Sequence, residues 1–178
     1  QLMSGNIFEE DIKKNKIVVF NLNVKKNFFA IFSLYTLYKI VKDFKPDIIN
    51  TWMYHSSLFD VILRTFILSY NTPLIWGLRC SNMDTLYYSK FLKFCILGCK
   101  YFSHIPNLII SNSEEGKKFH TSIGFKNKNI VIHNGIDDKK FIFNRSQRFK
   151  FRKKYKINEK DKVFLCVGRY DPMKDHET

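Results

Sequence analysis

The residues best suited to chemistry lie in one stretch, KVFLCVGRYDPMKD, from Lys162 to Asp175. Its apolar run, Val163 to Val167, has the shortness and β-branched content of a strand buried on both faces of a parallel sheet. Gly168 then lets the backbone turn without a Cβ clash, Arg169 follows at once, and Lys174 comes just past Pro172, which cannot continue a strand. Ligands bind at the carboxyl ends of strands in open α/β sheets, and a guanidinium beside an ammonium suits a diphosphate better than a neutral sugar. On these residues alone a solvated turn with two ordinary surface charges remains open.

Upstream, the sequence alternates between apolar runs and helical patterns. Lys16 to Leu22 predicts a strand and Asn27 to Phe44 a helix, with Leu34, Leu37, Tyr38 and Val41 on one face and Lys39 and Lys42 outside it. Asp47 leads into a short strand at Ile48 and Ile49, which ends in the polar cluster Asn50 to His55. A helix over Ser56 to Tyr70 follows, then a strand over Leu74 to Leu78 ending at Arg79, and an aromatic helix over Thr85 to Phe102. Leu108 to Ile110 predicts another strand, Ser113 caps a helix opening on two glutamates, and Gly124 closes it. Asn129 to Ile132 is a last strand before the turn HNGID, where Gly135 is expected at positive φ. Such alternation predicts an α/β fold with a Rossmann-like, doubly wound parallel sheet.

The charged stretch after Asp137 predicts a connector and a basic helix, Arg145 to Tyr155. Residues 1–144 are therefore expected to form one domain, and 145–178 a connector with the start of a second, truncated one. An aromatic content of 16% and a hydrophobic fraction of 45% exclude disorder. The net charge of +14 attracts an anionic partner, be it nucleic acid, anionic lipid or a phosphorylated substrate. Cys80, Cys95, Cys99 and Cys166 have no metal-ligand spacing and read as reduced, mostly buried thiols of a cytosolic protein. The opening QLMSGNIFEEDIKKN carries no secretory signal, and no run has the length and apolarity of a membrane span.

The segments KPDIINTWMYHSS, SNSEEGKKFHTSIGF, VIHNGIDDKKF and VGRYDPMKD, in this order and at these intervals, resemble glycosyltransferase family 4, the retaining GT-B enzymes. The resemblance runs from about Ile17 to the end. It implies two Rossmann-like domains, the first binding acceptor and the second a nucleotide-sugar donor. By it, Arg169 and Lys174 match the basic pair that holds the donor diphosphate, and Asn134, Gly135 and Asp137 match the turn before the interdomain connector, an expected hinge. His55 stands near the place of the histidines that follow the family's first-domain strand, with Asn50 and Trp52 where an H-x-H pair is frequent. It is a candidate cleft-lining residue, the alternative being a surface or packing histidine. Arg79 is a second candidate for donor or acceptor, or a partner of Asp84. His104, His120, His133 and His176 read as structural or solvated.

The resemblance also implies no cofactor and no metal, the nucleotide-sugar being a co-substrate. The expected partners are that donor, a glycan or lipid-linked acceptor in bacterial capsule, lipopolysaccharide or exopolysaccharide assembly, and an anionic membrane surface; no nucleic acid is expected. The expected location is cytoplasmic, at the inner face of the membrane. Two departures stand out: the family's initial strand with its glycine-rich loop, and its Glu-x7-Glu region, have no counterpart here, so a catalytically incomplete fragment is expected. The alternatives are a non-enzymatic basic module for anionic lipid or nucleic acid, and another GT-B enzyme such as a sugar-nucleotide epimerase. The aromatics of Thr85 to Phe102 beside Lys90, Lys93 and Lys100 suit either a membrane surface or the core.

Overall fold

Four short segments become the strands of one sheet; LIWGL is buried on both faces, whereas INTW and NIV stay partly exposed. The computed structural model describes residues 9–22, 30–67, 71–80, 89–168, 170, 174 and 176. The strands are β1 (Ile49–Trp52), β2 (Leu74–Leu78), β3 (Leu108–Ser111) and β4 (Asn129–Val131). They lie side by side in chain order, all parallel, with Trp52 paired to Gly77, Leu78 to Ser111 and Ser111 to Val131. All four carboxyl ends therefore lie along one edge. The reversal of strand order that defines a doubly wound sheet is not among these four strands.

Two helices precede the sheet, α1 (Glu9–Lys14) and α2 (Ala30–Phe44). Then α3 (Met53–Ile62) follows β1 and continues as a π-turn, Leu63–Ile67; α4 (Lys90–Tyr101) follows β2, and α5 (Glu114–Ser122) follows β3. Ser113 caps α5 as its sequence implies, its Oγ accepting from the Gly116 N–H (3.0 Å), with Glu114 and Glu115 in the positive first turn. Gly124 ends the helix at φ 97°, a conformation that a side chain would strain.

The core gathers around Trp76, which is fully buried on β2, with Tyr54, Leu58 and Val61 of α3 and Leu92, Cys95, Ile96 and Cys99 of α4 packed into the same cluster. α3 and α4 approach closely at Gly98, where a Cβ would lie 2.8 Å from Leu58 Cδ1. Arg64 Nε pairs with the buried Asp60 carboxylate (3.4 Å) and Arg64 Nη1 donates to the Thr72 carbonyl (2.7 Å), tying the π-turn to the approach of β2.

The chain divides into two compact units, Gln1–His133 and Asn134–Thr178. The second contains α6 (Arg145–Lys154), capped by Asn144 through the Gln147 N–H (3.0 Å). Arg148 pairs with Glu159 at 2.6 Å, and Arg152 Nη2 donates to the Asp161 carbonyl at 2.8 Å, folding the following loop back onto the helix. A shallow groove lies between Ile142, Phe143, Phe151 and Val163.

Several expectations are corrected. Val163 to Val167 is not a strand: it joins no ladder, with Phe164 92% exposed, because a strand needs a neighbour and none of the described segments supplies one. Lys16 to Leu22 likewise forms no strand, with Ile17 and Val18 exposed. Gly135 does not adopt positive φ; the turn is made just beyond it, where Asp137 Oδ1 accepts from the N–H groups of Lys139 and Lys140 (both 3.1 Å). On α4, where a surface and a core reading were both open, Phe91, Phe94 and Tyr101 are exposed, as is Leu97, while Phe102 packs partly against the core. Tyr87 and Tyr88 lie outside the described residues.

Candidate functional site

The parallel sheet delivers the residue after each strand to the same edge: Met53 and the start of α3 after β1, Arg79 and Cys80 after β2, Asn112 after β3, and Ile132 and His133 after β4. At the end of β1 the chain passes straight into α3 through Met53, whose φ of 70° is unfavourable for a residue with a Cβ by about 1–2 kcal/mol. The elbow is held by Ser56, whose Oγ donates to the carbonyls of Trp52 and Met53 (3.1 Å to Met53), and by the buried hydroxyl pair Thr51 and Ser57 (2.9 Å).

Trp52, directly before the elbow, lies half outside the protein at 56% exposure, with the Arg79 guanidinium carbon 4.6 Å from its ring centre. This is cation–π distance. Its partner in register is Gly77, where a Cβ would stand 3.3 Å from the Thr51 carbonyl and 3.7 Å from the indole Cδ1. Arg79 thus occupies the edge expected of it, beside an aromatic ring; Asp84, its alternative partner, lies outside the described residues.

His55, two residues past the elbow residue, is half-buried with its ring 5.5 Å from Phe91 at the start of α4. Burial lowers its pKa below the usual histidine range, so the imidazole is neutral at pH 7. It lies in the first turn of α3, just past β1.

Three strand ends are knitted by Asn112. Its Nδ2 donates to the Arg79 carbonyl (3.5 Å), its own carbonyl accepts from His133 Nδ1 (3.3 Å), and its Oδ1 is buried with no hydrogen-bond partner among the described residues. The sequence reading missed Asn112 and assigned His133 no place; the signal was their position, one and two residues past a strand, where Arg79 was recognised.

Beneath the edge runs a buried relay. His120 Nδ1 lies 2.6 Å from the Gly116 carbonyl, which can only accept, so Nδ1 carries the proton and Nε2 accepts from the Tyr54 hydroxyl (2.6 Å). The tyrosine oxygen in turn accepts from the Cys80 thiol (3.3 Å). Burial lowers the His120 pKa, against a smaller upward pull from the Gly116 carbonyl, and raises those of Tyr54 and Cys80, so every member is neutral at pH 7. The relay ties the start of α3 to the last turn of α5 and to the chain just past β2.

In the second unit, Lys174 is exposed, its Cγ 3.4 Å from where a Cβ on Gly168 would stand. Arg169 lies outside the described residues. Asn134, Gly135 and Asp137 are exposed at the start of this unit, Gly135 with nothing within 4 Å of a Cβ. No group of three His, Cys, Asp or Glu side chains among the described residues is placed to hold a metal ion.

Comparison with known proteins bears on this edge. The model of Glycosyltransferase Family 4 matches residues 4–140. An uncharacterized glycosyltransferase of Methanocaldococcus jannaschii is 30% identical, over 92% of this chain and 43% of its own length. The crystal structure of Anabaena HepE in complex with UDP superposes with a TM-score of 0.64 at 16% identity, covering 87% of this chain and 41% of HepE. The chain thus spans about two-fifths of the length of these relatives, and its sheet has the GT-B fold class expected from the sequence. With more than half of its residues inside the family match, the chain belongs to glycosyltransferase family 4.

Proposed function

We propose that the protein carrying this chain transfers a sugar from a nucleotide-sugar donor to a glycan or lipid-linked acceptor, with retention of configuration, in surface-polysaccharide assembly. The observation that carries the reading is the convergence of Trp52, His55, Arg79, Asn112 and His133 on one strand-end edge in a chain of this family. In this reading residues 1–144 form the acceptor side and 145–178 a connector leading to the donor side, with Asn134, Gly135 and Asp137 shaping the junction. Arg169 and Lys174 hold the donor diphosphate and stabilise the charge it gains as the glycosidic bond breaks. The UDP bound to HepE supports a nucleotide-sugar as the donor class. The donor phosphate takes the proton from the acceptor hydroxyl, a step that calls on no metal. His55, neutral, offers the acceptor a hydrogen bond rather than a charge.

The exposed stripe of α4 supports attachment to an anionic bilayer: Phe94 is 60% and Tyr101 72% exposed, beside Lys90, Lys93 and Lys100. No described helix is long and apolar enough to cross a membrane, so this attachment is interfacial. Incubating the protein with labelled nucleotide-sugars and lipid or glycan acceptors tests the reading. Label should pass to an acceptor with its anomeric configuration kept; label that leaves no donor refutes it.

A further inference from the structure

We propose that the acceptor is lipid-linked: its hydrocarbon tail lies along the exposed stripe of α4, and the phosphate that joins tail to saccharide is met by Lys90 and Lys93. This rests on the glycosyltransferase reading above. α4 is apolar on two faces. Leu92, Cys95, Ile96 and Cys99 fill the core, while Phe91, Phe94, Leu97 and Tyr101, at helical spacing, stay between 54% and 72% exposed. A contiguous apolar patch left in solvent marks an interaction site.

The charge of the helix and the place it leads to say what covers the stripe. α4 carries Lys90, Lys93 and Lys100, all exposed, and no acidic residue, so it suits a partner that is both apolar and anionic. A hydrocarbon chain ending in phosphate has both properties, whereas a neutral glycan has neither. Lys90 and Lys93 stand three residues apart, neighbours on the helix surface, in the part of α4 nearest β2 in the chain. Beside them Phe91, the first ring of the stripe, lies 5.5 Å from the His55 ring in the first turn of α3. The stripe therefore runs about 15 Å, from Tyr101 to Phe91, and ends against a residue of the strand-end edge. A face that only held the protein on a bilayer would not need to end there. A tail laid along it delivers its saccharide to His55.

Two measurements test this. In the transfer assay the acceptors are hexoses joined through phosphate to a hexyl or a dodecyl tail, kept below micelle-forming concentrations and free of vesicles. The dodecyl acceptor should have the lower KM by about tenfold or more, which is less than two fully buried methylene groups contribute. Phe94→Ser combined with Leu97→Ser should remove most of that ratio. Lys90→Gln combined with Lys93→Gln should raise the KM of the phosphate-linked acceptors about tenfold relative to dodecyl glycosides that lack phosphate. Equal KM for the two tails, a ratio that survives in the Phe94→Ser, Leu97→Ser variant, or better transfer to a tail-free glycan overturns the proposal. In the second measurement the 178-residue chain is titrated with dodecyl phosphate under the same conditions and followed by amide NMR. Signals of Lys90 to Tyr101 and of His55 should shift saturably, with hexyl phosphate binding weaker by about tenfold or more. Shifts confined to other residues overturn the proposal, and so does binding to anionic vesicles without binding of dissolved dodecyl phosphate, which is attachment alone. Stripe signals that move with protein concentration in the absence of ligand would show a second copy of the chain on this face and overturn it as well. Absence of transfer by the unaltered protein to any acceptor overturns the glycosyltransferase reading, and the titration then still decides whether the stripe takes an alkyl phosphate.

Discussion

Replacing Tyr54 by Phe removes one oxygen from the centre of the buried relay and leaves the aromatic ring in place. Tyr54 is fully buried, so no water replaces the lost hydroxyl. His120 Nε2, which faces that hydroxyl at 2.6 Å, becomes a buried acceptor without a donor, and the Cys80 thiol loses its acceptor at 3.3 Å. An orphaned buried acceptor costs about 1–3 kcal/mol and a thiol bond much less, so the variant should unfold about 2 kcal/mol more easily at pH 7.5. The effect should also depend on pH. The folded protein depresses the His120 pKa by burial, so it binds the proton less readily than the unfolded chain does, and the stability this represents is present above about pH 6.5 and lost as pH falls below it. In the wild type a protonated Nε2 would confront the tyrosine hydroxyl as a second donor; in Tyr54→Phe that conflict is gone and the neutral form has lost its bond. The gap between the two proteins should therefore narrow on acidification, by at most about 1.4 kcal/mol per pH unit for one proton. Acid sensitivity from His55, whose pKa is also lowered, is common to both and cancels. Urea unfolding followed by circular dichroism at pH 7.5 and 5.5 measures the gap. Equal stability at pH 7.5, or a gap that does not change with pH, refutes the proposed direction of the relay.

Ser113→Ala should destabilise the first unit by about 1 kcal/mol in the same assay by removing the α5 cap, and no change would show that the Gly116 N–H finds another partner. Amides of Val163 to Val167, unpaired here, should exchange hydrogen far faster than those of Trp76 and Ile109 in β2 and β3; equal protection would mean the segment is laddered in solution. The chain should sediment with anionic but not neutral liposomes, less so with added salt or with Lys90→Glu and Lys93→Glu, whereas no binding at low salt would remove α4 as a membrane face.

The order of elements was legible in the sequence because each carries a local signal. The β2 expectation over Leu74 to Leu78 coincides with the observed strand, and Ser113, the glutamates and Gly124 bound α5 through capping chemistry that acts within a few residues. What failed needs a partner elsewhere. Val163 to Val167 has strand composition, but a ladder is made by two segments. The outward stripe of α4 was indistinguishable from core because its inward stripe, Leu92, Cys95, Ile96 and Cys99, is apolar as well. Arg79 could be placed at the carboxyl edge because it follows a strand, whereas His55 was singled out by the family resemblance. The contact of Tyr54 with His120 joins residues far apart in the sequence, and the exposure of Trp52 depends on what stands opposite in register, so neither follows from local pattern.

The most direct measurement on the proposed donor chemistry is sugar transfer by Arg169→Ala and Lys174→Ala variants of the protein carrying this chain. Each removes a charge-assisted contact worth about 1.5–3 kcal/mol, so turnover should fall tenfold or more in both. Unchanged turnover in both variants would contradict the assignment of the diphosphate to these two residues.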